Sequence, residues 1–110
     1  MQNNTMISTY VVRSDAVDAF RKLLERHWPT LRELELATDT PPLYYIGGVT
    51  DDGGVPIVEI VEWSSENAAA LAHTHPAIST IWEQMSELWV EGSARPVRTH
   101  LSVRPLDVAH

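Results

Sequence analysis

The 110-residue chain contains no cysteine, which removes disulfides, thiolate metal sites and cysteine nucleophiles together. It also has no run of lysines or arginines. Its eight basic residues are scattered from Arg13 to Arg104 against fifteen acids, for a net charge of −7. Nucleic acid demands clustered cations opposite its phosphates, so no nucleic-acid partner is expected, and an anionic membrane surface is disfavoured for the same reason. No stretch approaches the ~20 apolar residues of a membrane span, and residues 1–8 lack the basic segment and apolar run of a secretory leader. The expectation is a cytoplasmic protein. Glycines 47–48 and 53–54 lack dinucleotide or phosphate-loop spacing, and there is no nucleophile elbow and no zinc motif. No cofactor and no metal are expected.

What is present suits one globular domain over residues 1–110, with 44% hydrophobic residues. A domain of this size buries roughly 65% of the surface its unfolded chain exposes, so a partner subunit would add useful stability. Residues 5–13, β-branched and aromatic without Gly or Pro, predict a first strand. Ser14, with Asp15 and Asp18 after it, reads as a helix start. Val17, Phe20, Leu23, Leu24 and Trp28 then recur at helical spacing. Pro29 is expected either to kink that helix or to open a second short one carrying Leu31, Leu34 and Leu36.

Residues 43–50 and 55–63 predict two strands around the turn Asp51-Asp52-Gly53-Gly54, with Gly47-Gly48 marking a bulge or a close backbone approach. Ser64 and Ser65 precede an alanine-rich helix interrupted at His75-Pro76. A further helix is expected from about residue 77 to 90, its apolar face built from Ile78, Ile81, Trp82, Met85, Leu88 and Trp89, ended by Gly92 and Pro96. Residues 97–103 form the last strand. The order β-α-β-β-α-β is that of an α+β, ferredoxin-like fold with an antiparallel sheet. Its helices cover one face, and no element remains for the other.

Val58–Trp63, Ser64–Ala68, His73-Thr74-His75-Pro76 and Ile81–Met85 together resemble the antibiotic biosynthesis monooxygenase-like group of dimeric α/β-barrel proteins, over about residues 6–104. The resemblance implies a homodimer whose two sheets close into a barrel, which would cover the open face. It also implies a cavity for a small apolar or aromatic molecule, commonly between the sheet and its own helices. Activities in the group include cofactor-independent oxygenation of aromatic polyketides, haem degradation, lactone isomerisation and polyketide cyclisation, so the fold leaves the chemistry open. The haem-degrading members need a tryptophan and a histidine where an approximate alignment puts Ala72 and Trp82, which disfavours that activity.

By the same resemblance His75 and a strand tyrosine, Tyr45 or Tyr44, are candidates for an acid–base pair. The residue-level alternative is that His75 caps a helix junction. His73 and His75, two positions apart, cannot ligate one metal from a helix. A metal would need further ligands such as His100 and Glu59. Alternation in the last strand puts Val97, Thr99, Leu101 and Val103 on one face, expected to meet the helices, and Arg98, His100, Ser102 and Arg104 on the other. In the third strand either Ile57, Glu59 and Val61 share the inward face or Val58, Ile60 and Glu62 do; one acid of this strand, Glu59 or Glu62, is expected to be at least partly buried, with Arg98 or Arg104 as an ionic partner. Trp63 and Trp82 can line a cavity for a flat ligand, with Tyr10, Tyr44 and His100 as further binding candidates. Two readings stay open: an oxygenase or cyclase/isomerase without cofactor, and a non-catalytic ligand-binding or structural dimer.

Overall fold

The computed structural model describes residues 4–91 and 97–109. The elements run β1 (Thr5–Arg13), α1 (Val17–Glu33), β2 (Leu43–Ile46), β3 (Gly54–Glu62), α2 (Ala68–His73), α3 (Pro76–Ser86) and β4 (Arg98–Val103). The four strands form one antiparallel sheet in the order β2-β3-β1-β4. With α2 and α3 as the two halves of one interrupted helical segment, this is the ferredoxin-like α+β arrangement.

Local chemistry explains most of the boundaries. β1 covers the β-branched run that predicted it. Gly53 takes a φ of 79° in the hairpin turn, the left-handed region that glycine enters without cost. Gly47 lies so close to Pro56 that a Cβ would come within 2.8 Å of its ring, so the backbones approach closely there and β2 pairs regularly only as far as Ile46. His75 and Pro76 separate α2 from α3, with His75 extended and Pro76 opening the new helix.

Expectations for three parts of the fold are corrected: α1, α3 and the sheet faces. α1 continues through Pro29 as a single helix, so Pro29 opens no second one. The apolar face on both sides of the proline packs on the sheet, and that burial outweighs one missing helical hydrogen bond. Its start is at Ala16 without a side-chain cap; Ser14 instead donates its backbone N–H to Gly53 O. α3 stops at Ser86, and residues 88–90 turn to run along β1, where Val90 N donates to Val11 O and Arg13 N donates to Leu88 O. β4 begins opposite Tyr10, so the end of β1 beyond it has backbone groups that need partners, and this segment supplies them. The expected stop signals Gly92 and Pro96 lie outside the described residues.

The third correction concerns the sheet faces. Side chains opposite one another in an antiparallel ladder share a face. Tyr10 is opposite Ile57 and Arg98, and Ser8 is opposite Glu59 and His100. Tyr10 and Ile57 are buried in the core with Phe20 of α1, so Arg98 and His100 point to the helix side and Thr99 and Leu101 to the open side. The last strand is thus turned over relative to the reading from alternation alone: its apolar residues lie on the far face, where Leu101 is 63% exposed. Tyr45, opposite Val58, belongs to that face too and is 60% exposed.

Under the helices the core divides in two. One cluster holds Tyr10, Val12, Phe20, Leu23, Leu24, Ile57, Ile81 and Met85. The other holds Leu31, Leu36, Val61, Trp63, Ala72 and Ile78. Trp82 packs against both.

Candidate functional site

Two polar side chains are buried among these apolar clusters, His27 and Glu59. Each interrupts an apolar stripe at its middle. On α1, the buried residues Phe20, Leu23, Leu24, His27 and Leu31 follow helical spacing. On β3, Val55, Ile57, Glu59 and Val61 alternate inward. Helix packing on the sheet places the two interruptions against each other.

His27 Nδ1 lies 2.8 Å from Glu59 Oε2, and the Tyr10 hydroxyl donates to Glu59 Oε1 at 3.0 Å. Trp82 Nε1 donates to His27 Nε2 at 2.9 Å. An indole N–H only donates, so Nε2 accepts, and the imidazole carries its proton on Nδ1 and gives it to Glu59. The pattern is one connected chain: Trp82 to His27 to Glu59, with Tyr10 feeding the second carboxylate oxygen. The Tyr10 hydroxyl is held well above its usual pKa, chiefly by burial and then by the charge and hydrogen bond of Glu59, while Arg98 pulls the other way. Tyr10 therefore stays a donor. The expected ionic partner of Glu59, Arg98 or Arg104, is replaced by this pair because β1 stands between β3 and β4 in the sheet.

The network forms the floor of a cavity of about 40 Å³ between sheet and helices. β1 contributes Met6, Ser8 and Tyr10, β3 contributes Glu59 and Val61, and β4 contributes Arg98 and His100. Trp63, Ala69, His73 and Trp82 close it from the helical side. This volume holds a few water-sized molecules, well below the roughly 300–1,000 Å³ of a pocket for a drug-sized ligand. Exposed His73 and His100 stand at its wall, with the His73 ring edge-on to Trp82 at 4.7 Å between centroids. The Arg98 guanidinium lies over the Trp82 ring, 5.4 Å from its centroid. Among the described residues no group of three or more His, Cys, Asp or Glu side chains is arranged to hold a metal ion, and no helix is long and apolar enough to cross a membrane.

Of the residues singled out from sequence, Tyr10, Trp63, Trp82 and His100 meet at this cavity. His75 and Tyr45 do not. His75 caps α3, its Nδ1 accepting from Ala77 N at 3.2 Å, so the helix-junction role describes its contact. Tyr45 lies on the far face of the sheet, so within one chain the sheet separates it from His75. Tyr44 is on the helix side, opposite Glu59, but half-buried at a separate groove of about 300 Å³ between α1 and β2. Its pKa is pushed up to about 12 by burial and by the Glu59 charge. His27 was not among the sequence candidates. The signal for it was present, a histidine at the centre of the helical stripe where a leucine is expected.

No family model matches the chain, and no curated protein matches it. Solved structures do. The fold is similar to that of Rv0793 from Mycobacterium tuberculosis, with 25% identity, a TM-score of 0.64 and coverage of 99% of this chain and 100% of that one. It is similar to SnoaB, a cofactor-independent oxygenase from Streptomyces nogalater, at 14% identity and a TM-score of 0.65, covering 98% and 97% of the two chains. An antibiotic biosynthesis monooxygenase matches at 16% identity and a TM-score of 0.65, covering 94% and 98%. The chain thus has the fold of the antibiotic biosynthesis monooxygenase-type proteins, the group its sequence resembles. At such identities what is shared is the architecture.

Proposed function

We propose that the protein is a homodimeric, cofactor-independent oxygenase of a small aromatic molecule, with the His27–Glu59 pair as its general base. The observation that carries this reading is the buried carboxylate–imidazole pair at the floor of an aromatic-walled cavity. A carboxylate behind an imidazole fixes its tautomer and stabilises the imidazolium formed when the far nitrogen takes a proton. Here the far nitrogen is Nε2, facing Trp82. The cavity of about 40 Å³ admits a phenol only when the Trp82 side chain swings away, which also frees Nε2; a hydroxyl presented there becomes a phenolate, an electron-rich form able to reduce dioxygen directly. The balance for the overall step is phenol plus dioxygen giving quinone plus water. One oxygen atom enters the ring, and the substrate supplies every electron that reduces the other. The similarity of fold to a cofactor-independent oxygenase supports this reaction class over an isomerase or cyclase working with the same base.

The exposed apolar side chains Leu43, Tyr45 and Leu101 on the far face of the sheet support the homodimer, because an apolar sheet face gains by being covered. The small cavity and the occupied Nε2 favour a second reading, a purely structural network in a non-catalytic dimer. An oxygen electrode with hydroxynaphthalene-type phenols distinguishes the two. The oxygenase reading expects dioxygen uptake that His27→Gln reduces at least about a hundredfold, as for loss of a general base, in a protein that still folds. Uptake equal in wild type and variant, or none in either, would leave the structural reading.

A further inference from the structure

We infer that residues 104–109 of one copy dock along β2 of a second copy, with Leu106 and Val108 entering the groove between α1 and β2. This rests on the homodimer reading and goes beyond it by naming the segments that meet.

β2 is an edge strand without the usual protection. It stands at the end of the sheet order and pairs only with β3. Natural edge strands avoid further pairing through charged side chains, proline or a covering element. β2 reads Leu43-Tyr44-Tyr45-Ile46, and all four side chains are exposed. Tyr44 and Ile46, opposite the buried Glu59 and Ile57, point to the helix side. There they form the groove of about 300 Å³ with Val17 and Leu24 of α1. The charged residues of the groove, Asp18 and Arg21, are paired with each other. Its remaining surface suits an apolar occupant.

The same chain carries an apolar segment without a place. Beyond β4, residues 104–109 belong to no helix or strand and are all exposed, Leu106 to 85%. Leu106 and Val108 are two positions apart, as Tyr44 and Ile46 are. In an extended segment such residues share a face. A strand added along β2 therefore sets both into the groove while its backbone pairs with the free edge. Pro105, which cannot donate to a ladder, stands at the start of the segment, where an edge strand tolerates it.

The segment cannot reach the groove of its own chain. β4 and β2 are at opposite edges of the sheet with β1 and β3 between them, about 14 Å apart at the ordinary strand spacing. Leu106 is three residues beyond the end of β4, a reach of about 10 Å. A second copy brings its segment from outside. Two-fold symmetry repeats the contact, so neither copy keeps a bare edge or a bare segment.

Paramagnetic NMR on mixed copies tests this. The chain has no cysteine, so Asp107→Cys takes one nitroxide on the face of the segment away from Leu106 and Val108. Mixed with nitrogen-15-labelled wild type, the spin-labelled chain broadens observed amides only through contacts between copies. The strongest broadening is expected over residues 17–24 and 43–48. It should vanish when the spin-labelled chain also carries Leu106→Asp and Val108→Asp. Those two substitutions, at exposed positions outside the core, should also weaken dimerisation at least roughly tenfold in sedimentation equilibrium. A sample that sediments as a dimer without broadening at the groove overturns the docking and leaves the homodimer standing. So does broadening that survives both substitutions. A wild-type monomer overturns both readings.

Discussion

His27 Nδ1 and Glu59 Oε2 lie 2.8 Å apart with both side chains almost wholly buried, joining the helical layer to the centre of the sheet. With His27 accepting from Trp82 at its other nitrogen, the contact is a hydrogen bond from a neutral imidazole to a carboxylate. Replacing Glu59 by leucine strands the Tyr10 hydroxyl and the imidazole N–H in an apolar interior, which is expected to cost about 2–4 kcal/mol. Adding His27→Leu should cost little more, or recover part of the loss, because it removes one stranded group. Urea unfolding of the two single variants and the double variant would give a coupling of at least about 1 kcal/mol. Additive losses would mean that the two side chains do not act as a pair.

Trp82 fixes the His27 tautomer through its indole N–H, the proton standing on Nδ1. Nitrogen-15 NMR of the imidazole should therefore show a protonated Nδ1 and an unprotonated, hydrogen-bonded Nε2 in wild type. Trp82→Phe keeps a ring in place but removes the donor, and the Nε2 signal is expected to move to that of a nitrogen without a hydrogen bond. An unchanged Nε2 signal would show that the indole N–H is not its partner.

Stability should fall in alkali. The hydroxyl of Tyr10 is held well above 10.0 and that of Tyr44 at about 12. In the unfolded chain both ionise near 10, so above that pH the unfolded state loses protons that the folded state keeps. Folding is then progressively disfavoured as pH rises, and the contribution is complete below about pH 10. Urea midpoints from about pH 9 to about pH 11 should decline, and the decline should be shallower for Tyr10→Phe. A slope identical to wild type would show that Tyr10 does not set it.

The proposed dimer places Leu101 of the far face, 63% exposed in the single chain, under a second copy. Sedimentation equilibrium of wild type is expected to give a dimer at micromolar concentration. Leu101→Glu, which would bury a charge without a partner, should shift it to monomer. A wild-type monomer under those conditions would refute the pairing.

β1, the hairpin around Gly53 and the break at His75-Pro76 were legible because each rests on chemistry local to a few residues: β-branching, a turn that glycine enters freely, and a proline that disfavours a helical predecessor. Periodicity likewise gave α1 its buried face. Pro29 misled because the penalty of a proline is local while the burial that overrides it is spread along the whole helix. His75 stands in a His-Pro step of the kind found in the family the sequence resembles, whereas His27 occupies a leucine-like position on a helical stripe, where no local pattern sets a functional histidine apart from a core residue.

Residue order by itself determined which side chains share a stripe: His27 with Leu23 and Leu31, Glu59 with Ile57 and Val61, Arg98 with His100. It did so because helix and strand periods are properties of the backbone. Which stripe faces which was decided only by the tertiary structure. The sheet order put β1 between β3 and β4, separating Glu59 from its expected arginine partner, and the packing of α1 brought His27 onto Glu59 instead. The face that β4 turns to the helices was settled by its register against β1, a contact between segments nearly ninety residues apart that no local pattern encodes.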